Sequence, residues 1–265
     1  MIKNFNFGIE LEMENVDRED VSEILAKLFK TQYYYIEDKN WGVKDDKSRE
    51  WRLEYDGSLE KGGCELVTPI LTYKDLPLLK KIINKIKIET SATVSKRCGL
   101  HIHIGAENLN ALHMINLLNL FYANEDLLYN AIGTYKERYT YCQMIEKELI
   151  DRMSDIHSNK RAFKVLWYNT LAPGEDKKDK YNNSRYYGIN FHSLFTIGTV
   201  EFRVFNSTFD FKKIKTYLDV ALAMVDFSKT NEKYTLKAIK KNYLSDFLDM
   251  LKLDGYEYLP ILTKA

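Results

Sequence analysis

The chain has 265 residues, 45% apolar and 29% charged, with 39 Lys and Arg against 38 Asp and Glu. This is the composition of a folded globular protein, and 12 Gly and 4 Pro are too few for a collagenous, linker-rich or disordered chain. A net charge of +1 gives no global attraction to nucleic acid or to an anionic membrane, so neither is expected as a partner. MIKNFNFGIELE has no apolar signal-peptide core. Cys64, Cys98 and Cys142 are odd in number and form no CxxC, which suggests reduced, buried thiols in a cytoplasmic protein.

Phe5–Glu14 alternates strictly. Phe5, Phe7, Ile9, Leu11 and Met13 face one way and Asn6, Gly8, Glu10, Glu12 and Glu14 the other, which predicts a strand. Short strands are expected at Tyr33–Glu37, Trp51–Tyr55 and Cys64–Thr68, with polar turns at Lys44–Glu50 and Gly57–Gly63. Leu76, Leu79, Ile82, Ile83 and Ile86 recur at helical spacing, so Tyr73–Lys87 reads as a helix. Gly99–Gly105 alternates again, with Leu100, Ile102 and Ile104 opposite His101 and His103. From about Leu109 to Tyr168 the pattern is helical. Within it the 17 residues Asn108–Asn124 carry no charge but hold five asparagines and His113. A bilayer crossing takes ~20 mostly apolar residues, so this is expected to be a core helix. Pro173–Asn183 is the clearest loop; its Lys177, Lys178 and Lys180 are offset by Glu175, Asp176 and Asp179, so it forms no nucleic-acid patch. Strands follow at Tyr186–Phe191 and Thr199–Phe205, and the remainder is helical. The expected architecture is one α+β domain over residues 1–265. Its mostly antiparallel sheet carries helices on the apolar face, with a helical insertion at about 107–170.

Four of these strands place ionisable side chains on one face. Period two sets Glu10, Glu12 and Glu14 side by side, likewise His101 with His103 and Glu201 with Arg203; Glu65 sits on a fourth strand. Each piece has an ordinary reading: a solvated strand face, hydrogen-bonded histidines, a cross-strand ion pair. Their coincidence favours a shared site, because like-charged carboxylates repel unless a cation, usually a divalent metal, lies between them. Carboxylates with a single imidazole suit Mg²⁺ or Mn²⁺, which commonly bridge to phosphates. No GxxxxGK[ST] or GxGxxG occurs, so a nucleotide would lie on the sheet face rather than in a P-loop or Rossmann site.

In order, FGIELE, DGSLEKGGCELVTP, CGLHIHIG and GTVEFRVFNST, spanning Phe7 to Thr208, resemble the putative amidoligase family, relatives of glutamine synthetase and glutamate–cysteine ligase. The resemblance implies a glutamine synthetase-like catalytic sheet whose concave face holds ATP and two or three Mg²⁺ or Mn²⁺ ions. It implies Glu10 and Glu12 as ligands of different metals, Glu65 sharing a metal with Glu12, and Asp56 as the acid upstream, where glutamine synthetase has a longer Glu. It further implies His101 and Glu201 as metal ligands, His103 as a contact to the nucleotide phosphates and Arg203 as a phosphate-binding cation. The implied reaction activates an amino-acid or peptide carboxylate as an acyl phosphate, releases ADP, and lets an amine displace phosphate to form an amide. Arg138, Arg185 and Asn190 are candidates for holding the carboxylate or the acyl phosphate. The chain has no room for glutamine synthetase's separate N-terminal domain, which suggests a self-contained site or one completed by the helical insertion. Two other readings stay open: a metal-dependent hydrolase using the HIH strand, for which only His101, His103, His113, His157 and His192 are available, and a relative that binds nucleotide without turnover.

Overall fold

The computed structural model describes residues 2–59, 63–153 and 159–263. Its eight strands are β1 (Phe7–Met13), β2 (Tyr33–Ile36), β3 (Asn40–Lys44), β4 (Glu50–Tyr55), β5 (Cys64–Val67), β6 (Gly99–Gly105), β7 (Ile189–Asn190) and β8 (Thr199–Asn206). They form one open, curved sheet in the order β2-β3-β4-β5-β1-β6-β8-β7, and every neighbouring pair is antiparallel. Three helices precede or follow β6: α1 (Arg18–Phe29), α2 (Leu76–Glu89) and α3 (Ala111–Ile132). Then come α4 (Lys147–Met153), α5 (Lys160–Leu171), α6 (His192–Ile197), α7 (Phe211–Ser228), α8 (Leu236–Ile239), α9 (Leu244–Met250) and α10 (Gly255–Leu262).

The alternating sequences decide which face is inside. Phe7, Ile9, Leu11 and Met13 of β1 are buried with Trp51, Leu53, Cys64 and Leu66 of β4 and β5, and with Leu100, Ile102, Ile104, Val200, Phe202 and Val204 of β6 and β8. Against this face lie α1 on β3 and β4, α7 on β6, and α3 on β8. Full burial of each such side chain contributes about 1.5–3 kcal/mol. Apolar burial therefore fixes the sheet's orientation, and the opposite face is left for polar groups. Cys64, Cys98 and Cys142 are buried and free, as expected.

The charge-free Asn108–Asn124 stretch is a core helix, and its asparagines explain why. Asn110 caps α3 by accepting from the His113 N–H at 2.9 Å, and Gly133 ends it in the left-handed region at φ 63°. Asn116 Nδ2 donates to the Glu232 carbonyl at 2.8 Å and its Oδ1 accepts from the Tyr234 N–H. Asn124 does the same for Ile239 and Lys241. These amides tie α3 to the segment around α8. Among the described residues no helix is long and apolar enough to cross a membrane.

Several elements differ from the sequence-based expectation. The helix α1 occupies a stretch to which no element is assigned above, although Val21, Ile24, Leu25 and Leu28 recur at helical spacing there. The strand β3 has only Trp41 and Val43 as apolar residues, too few for an alternation to stand out. The helical stretch from Leu109 to Tyr168 is divided into α3, α4 and α5, with His157 in a segment outside the described residues. The strand expected at Tyr186–Phe191 shrinks to the two residues of β7. Upstream, Asn183–Arg185 is a 3-10 turn, the Tyr186 carbonyl and the Gly188 N–H pair with Gln143, and only the Gly188 carbonyl reaches β8, accepting from the Arg203 N–H. The turn at Lys44–Glu50 is built around buried Asp45, which accepts from the Lys47 and Arg49 N–H groups.

Glu125 on α3 is buried, its Oε2 accepting the Ile145 N–H at 3.0 Å, and burial pushes its carboxyl up to about 8. Between the unfolded value near ~4.3 and about 8 only the folded state keeps this proton, so stability is full at acid pH and falls as pH rises through the window. Glu125→Gln keeps the carbonyl acceptor and removes the ionisation. It is expected to flatten this dependence and raise Tm at pH 8 by roughly 5–10 °C. Parallel melting curves for the two proteins from pH 5 to 8 would refute the assignment.

Candidate active site

The register brings the polar residues into one patch. Glu10 stands opposite His101, Gly8 opposite His103, and Glu12 opposite Glu65. Across the next pairings, His103 faces Glu201, Glu54 faces Glu65, and Asn190 of β7 faces Glu201. Directly opposed residues share a sheet face, so the alternations of five strands deliver their ionisable groups together.

The contacts are close. His101 Nδ1 lies 3.0 Å from Glu10 Oε2, 3.7 Å from Glu201 Oε1 and 3.8 Å from Glu65 Oε1, while its Nε2 lies 3.4 Å from Glu12 Oε1. His103 Nε2 is 3.2 Å from Glu10 Oε1 and 3.9 Å from Glu201 Oε1. Three overlapping groups have donor atoms within 4.8 Å of one another: Glu10, Glu65 and His101; Glu10, His103 and Glu201; and Glu12, Asp56 and Glu65. All six residues expected as metal ligands are therefore in these groups. Glu14 is in none of them: it follows the end of β1, where its main chain pairs with Thr93.

Burial and the neighbouring charges set the four glutamates apart. Burial pushes the Glu65 carboxyl well above its ordinary range, and the neighbouring Glu10, Glu12, Asp56 and Glu54 push it further. Burial also raises Glu12, with only partial relief from His101. For Glu10 and Glu201 burial is outweighed: His103 and His101 hold Glu10 low, and Arg203 and His103 hold Glu201 at about 2. His103 itself is raised, burial being overcome by Glu10 and Glu201. Its Nδ1 pairs with Thr199 Oγ1 at 2.9 Å, whereas its buried Nε2 lacks a hydrogen bond even though Glu10 is near. A ring anchored at one nitrogen and unsatisfied at the other is the usual state of a ligand-binding imidazole. The donor set, oxygen-rich with one imidazole per group at most, fits a hard divalent cation such as Mg²⁺ or Mn²⁺.

Supporting groups hold this patch in place. Asn190 Nδ2 donates to Glu201 Oε2 at 2.6 Å while its Oδ1 accepts from the His192 N–H, so it orients Glu201. Arg203 pairs with Glu201 through Nη1 and donates from Nε to the Tyr141 carbonyl at 3.1 Å. Arg138 is buried, with Nη2 on the Arg203 carbonyl at 2.7 Å and Nη1 on that of Phe205 at 2.6 Å. It thus covers the outer edge of β8 where β7 has stopped. Gly99 makes this possible, since a Cβ there would clash with Arg138 Nη2 and lie 2.8 Å from His101 Nε2. The Gly99 N–H instead donates to Glu12 Oε2 at 2.5 Å. Arg185 is half-buried beside Tyr186, donating to the Lys180 carbonyl. Of the other histidines, His113 belongs to the cap of α3, and His192 pairs with Tyr168 at 2.8 Å. The sequence reading passed over Thr199, although it lies two residues before Glu201 and so on the same strand face. Next to Glu10 and His103 a cavity of about 580 Å³ opens, lined also by Gly8, Thr68, Ile70 and Lys229.

The crowded carboxylates make a prediction about metal. Glu65→Gln removes the carboxylate most disfavoured by its neighbours, so the metal-free variant is expected to melt no lower than wild type. Any Mn²⁺-induced rise in Tm is expected to shrink, with Mn²⁺ affinity down roughly 10-fold or more by electron paramagnetic resonance titration. A lower metal-free Tm with unchanged Mn²⁺ binding would count against a metal site here.

A search of curated proteins finds no match to this chain. A family model described as "Putative amidoligase enzyme" matches residues 3–225, a span that contains all eight strands and every residue of the three donor groups. The chain belongs to this putative amidoligase enzyme family.

Proposed function

We propose that the protein is an ATP-dependent, ADP-forming carboxylate–amine ligase with a glutamine synthetase-like catalytic sheet in a single domain, acting on an amino-acid or peptide carboxylate in the cytoplasm. The observation that carries this reading is the convergence of three donor groups and Arg203 on one buried sheet face in a chain of the amidoligase family. Glu10, Glu12, Asp56, Glu65, His101 and Glu201 would hold two or three Mg²⁺ or Mn²⁺ ions. When bound, such ions supply neutralisation of phosphate charge.

The remaining chemistry belongs to the chain and its substrates. The nucleotide lies in the cavity beside Glu10 with its phosphates toward His103, whose unsatisfied Nε2 is directed into the patch. A carboxylate oxygen attacks the γ-phosphorus, the bond to the β-phosphate oxygen breaks, and ADP leaves. The amine nitrogen then attacks the acyl carbon, the carbon–oxygen bond to phosphate breaks, and phosphate leaves as the amine gives up its proton. Arg203 is placed to stabilise the transferring phosphoryl group, because Glu201 and Glu10 outweigh the cost of burial and keep its guanidinium charged, and the pairing with Glu201 holds it in place. Arg185, beside Tyr186, is placed to hold a carboxylate of the substrate other than the one that reacts. Arg138 contributes as a positioning residue: its guanidinium fixes the main chain of the strand that carries Glu201 and Arg203.

Calorimetric titration of ATP with and without Mg²⁺ tests this without knowledge of the substrate. Binding is expected only with Mg²⁺, weakened roughly 10-fold or more in Glu201→Gln and in Arg203→Ala, each shown to be folded by circular dichroism. No binding at millimolar ATP in the wild-type protein would overturn the reading.

A further inference from the structure

A second line of residues leaves the metal face at its outer edge and takes no part in the donor groups. It alternates cation and ring. The Arg203 guanidinium lies 6.0 Å from the Tyr186 centroid, Arg185 lies 5.6 Å from the same ring and 5.8 Å from Tyr181, and Lys180 lies 5.7 Å from Tyr181. Tyr141, whose carbonyl receives Arg203 Nε, sets its ring against Tyr186 at 5.8 Å. A guanidinium held against an aromatic ring keeps N–H groups available for an anion.

Arg203 is paired with Glu201, but the charges of Lys180 and Arg185 are not balanced by the acids beside them in sequence. Glu175 accepts from the Asn183 N–H, Asp176 from the Lys178 N–H and Asp179 from the Tyr181 N–H, so the acids shape the loop's own backbone. Among the described residues neither Arg185 nor Lys180 pairs with a carboxylate; Arg185 gives one N–H to the Lys180 carbonyl. The ladder also reaches well into solvent, with Tyr181 64% and Tyr141 40% exposed. A free amino acid bound at Arg203 would leave Tyr181 and Lys180 untouched.

We propose that the carboxylate substrate is an acidic peptide, with its reacting carboxylate at Arg203 and a second carboxylate, a few residues away, on Arg185. Its chain runs over Tyr186 toward Tyr181 and Lys180. Arg203 and Arg185 each lie within 6.0 Å of one ring centroid, so they are at most about 12 Å apart, the span of roughly three extended residues. Tyr and Arg are the side chains most enriched where peptides and proteins are gripped, which suits an extended rather than a compact ligand. The assignment rests on the ligase reading and narrows its substrate to a chain.

The test is fluorescence anisotropy with N-terminally labelled tetraglutamate, run beside Mg²⁺–ATP calorimetry on the same wild-type protein. Unlabelled tetraglutamate is expected to displace the probe at concentrations at least ~10-fold below free glutamate. Arg185→Ala is expected to weaken the peptide about 10-fold, and Tyr181→Ala about 3-fold, Tyr181 being exposed enough that its loss leaves the fold intact. Free glutamate competing as well as the peptide, or both variants binding like wild type, would overturn the peptide assignment while Mg²⁺–ATP binding kept the ligase reading in place. Wild-type protein that holds tetraglutamate through Arg185 but binds no Mg²⁺–ATP would overturn the ligase reading, and with it the peptide's role as acyl substrate.

Discussion

Negative charge confined to a buried sheet face is the constraint around which the rest of this structure is arranged. Glu10, Glu12, Glu65, Glu201 and Asp56 meet on one sheet face, where burial and neighbouring carboxylates oppose the ionisation of Glu12 and Glu65. Nothing in the apolar packing on the other side of the sheet relieves this. The relief present in the protein is local: His101 among four of the carboxylates, His103 between Glu10 and Glu201, and Arg203 on Glu201. It falls short at Glu65, which is why a divalent cation fits there. The neighbouring features serve the same arrangement. Thr199 turns His103, Asn190 turns Glu201, and Arg138 secures the strand from which Glu201 and Arg203 project.

Much of this was legible in the sequence because strand periodicity is local. The alternation of FNFGIELEME and of GLHIHIG predicts both the strands and their faces, and β6 spans Gly99–Gly105 as expected. Which strands lie side by side is a different matter, since β1 joins β5 and β6 across long stretches of chain. The coincidence of four charged faces pointed to a shared site and the motif resemblance implied one sheet face for it, but neither carried the strand order.

The misses have physical causes as well. The aromatic run Tyr186–Phe191 looks like a strand, but a strand needs an open partner edge. Beyond the Arg203 N–H, which reaches Gly188, the outer edge of β8 is occupied by Arg138 and by Thr134, whose hydroxyl donates to the Val204 carbonyl at 2.9 Å. No local property of residues 186–191 records that. The same contacts show why Arg138, picked out as a possible anion-holding residue, turns its guanidinium to main-chain carbonyls. The sequence shows a charged residue near a tyrosine-rich stretch; only the fold shows which oxygens meet it. Asn190 likewise was chosen for its hydrogen-bonding capacity, and the structure gives that capacity to Glu201.

The asparagines of α3 bear on where this protein can be cut. The family match ends at residue 225, inside α7, yet Asn116 and Asn124 draw their partners from Glu232, Tyr234, Ile239 and Lys241. A fragment trimmed to the matched region would leave the Asn116 amide unpaired and take from Asn124 all but its bond to the Leu120 carbonyl, at about 1–3 kcal/mol for each buried group left unsatisfied, and would uncover the side of α3 that packs on α8 and α9. Expression boundaries drawn from the matched span would therefore yield a less stable product. The segment that carries the recognisable motifs stops short of the segment that completes the packing and hydrogen bonding of α3.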